Sequence, residues 1–322
     1  MNPSLSRRSL IGGLACVALG AAAQPFDVSR PVTVVMPVAP GGGLDYLMRT
    51  LLPVASERLG QPILLDYKPG GNGVVSVKQV KSARPDSHTF LLAYPSFVMN
   101  PRAMSKPPYA ESDFQPVGLV AKLPAVLAVN AALPIQGPAD LVPFDKSRPG
   151  ALTVGIAGTG GLLEYSLLQL KKTALPGMTI VPYKGGAPAL NAVLAGEIAM
   201  TLESWPAVEA HVKSGRIRPI AVSSAGRQSF APALPALGET FPGFDMSIWY
   251  GLMASAKASN EAVRAVAKAF SEALNNSEVA ARLAGSGWEL GKRVDPNEFG
   301  VFLSSERRRL GPLVDEFASV AR

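Results

Sequence analysis

The chain is 322 residues long, 48% hydrophobic and 17% charged, which is enough for about two ordinary domains with their own cores and too apolar for a disordered chain. Its 31 glycines and 29 prolines are scattered with no fixed period, so collagen-like and low-complexity architectures are excluded. The formal net charge of +7 comes without any basic run interleaved with aromatics, a balance that favours anionic ligands and gives no support to a nucleic-acid partner.

Residues 1–23 read as an export signal: Arg7 and Arg8 precede the apolar stretch 10–19, and Ala21, Ala22 and Ala23 offer a small-residue cleavage site before Gln24. Ser6-Arg7-Arg8-Ser9-Leu10 also suits a twin-arginine signal, so the general secretory route and the twin-arginine route both lead to the periplasm. The single cysteine, Cys16, lies inside this segment. A mature chain starting near Gln24 therefore has no disulfide, no thiol nucleophile and no thiolate metal ligand. Its formal charge is +5, because Arg7 and Arg8 leave 29 basic residues against 24 acidic ones. No later stretch reaches the roughly 18 consecutive apolar residues of a membrane span.

Apolar periodicity predicts a strand over 32–36, then a helix over 44–59 with Leu47, Leu51, Val54, Ala55 and Leu59 on one face. A strand over 63–66, a helix over 74–83 and a strand over 89–94 follow. Further on, strands over 152–156, 179–182, 199–203 and 217–223 alternate with helices over 162–172, 187–194 and 206–213. The last third is mostly helical, over 260–275, 277–284 and 297–320. This alternation predicts an α/β protein built on doubly wound parallel sheets.

Three strand-to-helix junctions share one design. Gly41-Gly42-Gly43, flanked by Pro40 and by Leu44 and Asp45, opens the first helix; Gly158-Thr159-Gly160-Gly161 opens another; Lys184-Gly185-Gly186-Ala187-Pro188 opens a third, with Pro188 suited to a first helical turn. In open parallel sheets such junctions lie at the carboxyl ends of the strands, where ligands bind. Helix N-termini present unpaired N–H groups and partial positive charge to an anion, and glycine lets that anion approach the backbone. Gly42 and Gly186 are expected to hold positive φ. Leu163 stands where the last glycine of a dinucleotide fingerprint belongs, and no Walker pattern is present. No cofactor is expected.

Individual side chains carry alternative readings. Ser96 and Ser204, each just past a predicted strand, are hydroxyl donors to a ligand or ordinary turn residues. Trp205 lines a cleft or packs. Lys184 adds charge beside an anion site or is solvated, and Asp45 caps its helix or contacts a ligand amino group or water. His88 and His211 lie far apart and outside the glycine junctions, and neither G-x-S-x-G nor H-E-x-x-H occurs. Hydrolase machinery and metal sites find no support.

Taken together, residues 32–37, Pro40-Gly41-Gly42-Gly43, Arg58-Leu59-Gly60-Gln61-Pro62, Lys68-Pro69-Gly70-Gly71-Asn72-Gly73, Pro85-Asp86, Asn100-Pro101, Tyr183-Lys184-Gly185-Gly186-Ala187-Pro188, Ala195-Gly196-Glu197 and Trp249-Tyr250-Gly251-Leu252 resemble the tripartite tricarboxylate transporter substrate-binding family, the Bug-type solute receptors. The resemblance spans the mature chain. It implies a two-lobed periplasmic-binding-protein fold, type II-like, with residues 24–123 plus 225–322 as domain 1 and 124–224 as domain 2. It further implies a monomeric, non-enzymatic receptor that grips a small organic acid between the lobes and passes it to an inner-membrane permease or reports it to a sensor. Di- and tricarboxylates, acidic amino acids and aromatic acids are all candidate ligands. The binding set so read is Pro40, Gly41, Gly42, Gly43, Leu44, Asp45, Ser96, Gly158, Thr159, Gly160, Lys184, Gly185, Gly186, Ala187 and Ser204. The chain departs from the family pattern at Leu44, where Thr or Ser is usual, and at Glu164, where His is common. A carboxylate there is expected to repel an anionic ligand unless it points away or is paired.

Overall fold

The computed structural model describes residues 26–27, 29–84 and 88–318; the export signal and the Pro85-Asp86 element lie outside the described residues. In chain order the elements are β1 (Val32–Met36), α1 (Gly43–Leu59), β2 (Ile63–Tyr67), α2 (Val74–Ser82), β3 (Thr89–Ala93), α3 (Ser96–Ala103) and β4 (Phe114–Leu123). Next come β5 (Val126–Asn130), α4 (Leu141–Ser147), β6 (Thr153–Ala157), α5 (Leu162–Thr173), β7 (Thr179–Tyr183), α6 (Gly186–Ala195), β8 (Met200–Glu203), α7 (Trp205–Lys213), β9 (Ile217–Val222) and α8 (Leu237–Thr240). The chain closes with β10 (Ile248–Ser255), α9 (Asn260–Leu274), α10 (Ser277–Leu283), β11 (Glu289–Leu290) and α11 (Pro296–Phe317).

These strands form two sheets among the described residues, ordered β11-β4-β10-β3-β1-β2 and β7-β6-β8-β5-β9. Alternate residues along each strand face opposite cores, as the period of two requires. Val34 belongs to the core that α1 and α9 cover, whereas Val35 belongs to the one under α2, α3 and α11. In the second sheet Leu127 faces α4 and α5, and Val126 faces α6 and α7. Each sheet is thus covered by helices on both sides, the doubly wound α/β architecture that the alternation predicts.

The sheets are mixed, which corrects the expectation of parallel ones. β1 runs parallel to β2 and β3, and β6 to β7 and β8, but β10 is antiparallel to β3 and β4, and β5 is antiparallel to β8 and β9. The reversed strands are those by which the chain changes sheets. β4 leaves the first sheet at Leu123 and β5 begins in the second at Val126, joined by a two-residue link. The return comes later: Leu237, Phe244 and Met246 still pack in the second sheet's core, and β10 then re-enters the first.

An ion pair between half-buried Arg309 and buried Glu306 holds that return crossing. Arg309 on α11 donates Nε and Nη2 to Glu306 at 2.8 and 2.7 Å and Nη1 to the Asp245 carbonyl at 2.7 Å, while Trp249 Nε1 donates to Glu306 at 3.0 Å. Glu306 is only 5% exposed. Removing the guanidinium strands a buried carboxylate, so Arg309→Met is expected to lower stability by about 3 kcal/mol, read as a fall in the urea midpoint at unchanged slope.

Candidate functional site

The junction from β1 into α1 is shaped by its glycines and by one acid. Gly41 holds φ +92°, whereas Gly42, the residue capping α1, has an ordinary φ of −89°. No side chain caps the helix at Gly42. Asp45, one turn in, reaches back to accept the Gly41 N–H at 2.8 Å and takes further bonds from Arg49 Nε at 2.9 Å and from the Tyr67 hydroxyl. Burial pushes the Asp45 carboxyl up, but the bonds from Tyr67, Gly41 and Arg49 outweigh it and hold the group below its ordinary range. Its bonds run to the loop before α1, to Arg49 and to Tyr67, so, against the capping expectation, it makes no cap of α1.

The junction from β6 into α5 repeats the device. Gly158 and Gly160 hold φ +79° and +71°, and Glu164 accepts the Gly160 N–H at 2.5 Å. The departure from the family pattern at 164 therefore places a carboxylate that is paired with its own loop. From β7 into α6 the positive φ of +120° falls on Gly185. Positive φ thus sits one residue before Gly42 and Gly186, not on them. What Gly186 supplies is room: a Cβ there would stand 1.9 Å from Glu203 Oε1. Glu203 ends β8, and burial raises its carboxyl above the ordinary range, the Ser204 N–H opposing that rise in part.

The three helix N-termini open on the space between the sheets. A cavity of ≈ 640 Å³ is bounded by Gly41, Gly42, Gly43 and Leu44 on one side and by Gly186, Glu203 and Ser204 on the other. A smaller one of ≈ 150 Å³ shares Ala157, Leu163 and Ile248 with it and is lined by Ser96, Gly158, Thr159 and Glu164. Gly160, with Thr159, lines a groove on the far side of its loop. Of the remaining candidates, Pro40, Lys184 and Ala187 are exposed, and these three, with Asp45 and Gly185, line neither cavity.

Several lining residues escaped sequence reasoning. Trp288 lies over the first glycine junction, its Cζ2 3.8 Å from where a Cβ on Gly43 would stand, and meets Tyr250 edge to face with centroids 5.5 Å apart. Burial keeps the Tyr250 hydroxyl well above its usual pKa, so it is a neutral hydrogen-bonding group at pH 7. Asn72, at φ +49°, donates to the Gly160 carbonyl at 3.0 Å and accepts from the Tyr94 hydroxyl at 3.2 Å, tying the two sheets across the cleft. The contacts of Trp288 with Gly43 and of Asn72 with Gly160 are hidden by sequence separations above 80 residues, although the Gly-x-x-x-acid spacing of Gly41 to Asp45 and Gly160 to Glu164 was visible. Among the described residues no cluster of three or more His, Cys, Asp or Glu side chains is arranged to hold a metal, and no helix is long and apolar enough to cross a membrane.

A family model described as the tripartite tricarboxylate transporter family receptor matches residues 47–318. Protein BugT of Bordetella pertussis is 30% identical over 294 residues, 89% of this chain and 89% of its own. Among solved structures, an R. palustris protein with adipate is similar at a TM-score of 0.78 and 28% identity, covering 89% of this chain and 97% of that one. MatC from Rhodopseudomonas palustris with bound malate gives a TM-score of 0.73 at 26% identity, covering 88% and 98%.

Proposed function

Because the chain belongs to the tripartite tricarboxylate transporter family of receptors, we propose that it is exported, captures a small carboxylate between two lobes and hands it on unchanged to an inner-membrane permease. The observation that carries this reading is the opening of the α1 N-terminus, uncapped by any side chain, on a cavity between the sheets. Unpaired amides at Gly42, Gly43 and Leu44 would receive the carboxylate, with charge-assisted bonds worth about 1.5–3 kcal/mol each. Relatives with adipate and with malate support the ligand class. The lobes we assign are the two sheets with their helices. The second crossing then lies at 247–248, because Leu237, Phe244 and Met246 pack with the second sheet. Asn72 would act as a contact that forms as the lobes close.

Purified mature protein is expected to gain thermal stability with carboxylates and not with the matching primary amides, since a ligand binding only the native state contributes about 2.7 kcal/mol at a hundredfold excess over Kd. Equal shifts with acid and amide, or none with any acid in a panel of mono-, di- and tricarboxylates, would contradict the proposal. The acid recovered after incubation is expected to be unaltered by mass.

A further inference from the structure

The cleft offers little to a second negative charge. Its wall is made by Leu44, Leu123, Leu163, Ile248, Tyr250 and Trp288, and among the described residues no lysine or arginine lines it. The one charged side chain that does line it is acidic. Glu203 is half-buried at the end of β8 and makes no ion pair among the described residues, and its carboxylate packs against Gly186 at the start of α6. The helix N-terminus best placed to meet the far end of a ligand bound at α1 is thus faced by the protein's own anion, which takes a backbone hydrogen bond from the Ser204 N–H.

Resting on the reading that this cleft takes a carboxylate, we propose that its ligand is a monocarboxylate with an apolar body, and that Glu203 is the specificity-determining residue that turns away dicarboxylates. One carboxylate sits on the α1 amides, on the side of the cleft away from Glu203. The body of the ligand then lies against the Tyr250 and Trp288 rings and the leucines, where apolar burial supplies the affinity. A second carboxylate at the far end would meet Glu203 in a partly desolvated space with no cation to offset the repulsion. Rejection by an unpaired like charge is a general route to selectivity between otherwise similar ligands.

Titration calorimetry of the mature protein at pH 7.5 with phenylacetate, hexanoate, adipate and L-malate tests this. At least one of the two monocarboxylates is expected to bind about tenfold or more tightly than either dicarboxylate, a difference near 1.4 kcal/mol. Glu203→Gln is expected to shrink that ratio about tenfold, chiefly through tighter adipate binding. Adipate or malate binding wild-type protein as tightly as both monocarboxylates would overturn this inference and leave the carboxylate reading standing, whereas no heat from any of the four would overturn both. The wild-type ranking decides the ligand class even if the variant does not fold. An unchanged ratio in a folded Glu203→Gln protein, its melting curve cooperative, would remove Glu203 from the discrimination.

Discussion

Valine in place of Gly42 is expected to leave the protein folded and to weaken carboxylate binding by about a hundredfold, the equivalent of one or two lost charge-assisted hydrogen bonds. Gly42 has φ −89° and ψ 177°, an extended conformation that a β-branched residue adopts readily. A Cβ built there meets nothing within 4 Å, so the fold has no steric objection. Gly42 lines the cleft, however, and the added branch would stand where a ligand approaches the amides that open α1. Lys184→Ala is the contrasting variant. Lys184 is exposed and lines neither cavity, so losing its solvent-screened charge is expected to change affinity by about threefold or less. Calorimetry with the best carboxylate from the thermal screen ranks the two, and circular dichroism confirms that both variants are folded. The opposite ranking would mean that side-chain charge, not backbone, holds the ligand.

Gly118→Val is expected to do the reverse, abolishing stable folding before any question of binding arises. Gly118 lies within β4, and a Cβ there would stand 2.3 Å from Val294 Cγ1, 2.7 Å from the Asp295 backbone nitrogen and 2.8 Å from the Val294 carbonyl carbon. Two of those three atoms are backbone. They belong to the start of α11, where the Asp295 side chain caps the helix by accepting the N–H groups of Asn297 and Glu298. Relief therefore requires the helix to move off the sheet. Overpacking commonly costs about 1–3 kcal/mol, and an obstacle that cannot rotate away places this variant at or beyond the upper end. A loss of more than about 3 kcal/mol by urea unfolding, or a collapse in soluble yield, is the expected result. A near-wild-type midpoint would show that α11 does not dock on β4 as closely as described.

The same glycine explains part of what sequence reading missed. β1, β2, β3 and the strands from β6 to β9 were legible because each is a mainly apolar run beside a helical period, which outweighed Gly155, Pro182 and Pro219 within them. β4 carries Pro116 and Gly118, and β10 carries Gly251, residues that interrupt a strand pattern. In the fold they admit α11: a Cβ on Gly251 would lie 2.1 Å from Phe299 Cζ. Close approach of two distant segments leaves only a glycine behind as its mark. Strand direction escaped for a related reason, since β5 and β10 run against their neighbours by arriving from the other sheet, which is a tertiary fact. β5 itself is a short apolar run directly after β4, and the next helix, α4, begins only at Leu141.

At the site, legibility followed sequence locality. The glycine junctions, Ser204 beside the cleft and the resemblance to the receptor family could all be read from contiguous residues, and the family match over 47–318 bears the resemblance out. The opposite wall could not. Trp288 reaches Gly43 across more than 240 residues of chain, and no local pattern marks a tryptophan that lines a cleft as different from one that packs. Glu203 was adjacent to a singled-out serine, but the feature that matters, its carboxylate against the α6 N-terminus, depends on β8 lying two strands from β7 in the second sheet.

Backbone amides at the α1 glycine junction are expected to hold the carboxylate. Proton–nitrogen correlation spectra of mature protein labelled with 15N only at glycine, titrated with phenylacetate and with phenylacetamide, test it most directly. Saturable shifts at Gly42 and Gly43 are expected with the acid, absent with the amide, and little change at Gly311, which lines a separate groove beside α11. Saturable binding of phenylacetate that leaves the Gly42 and Gly43 signals unmoved would contradict it.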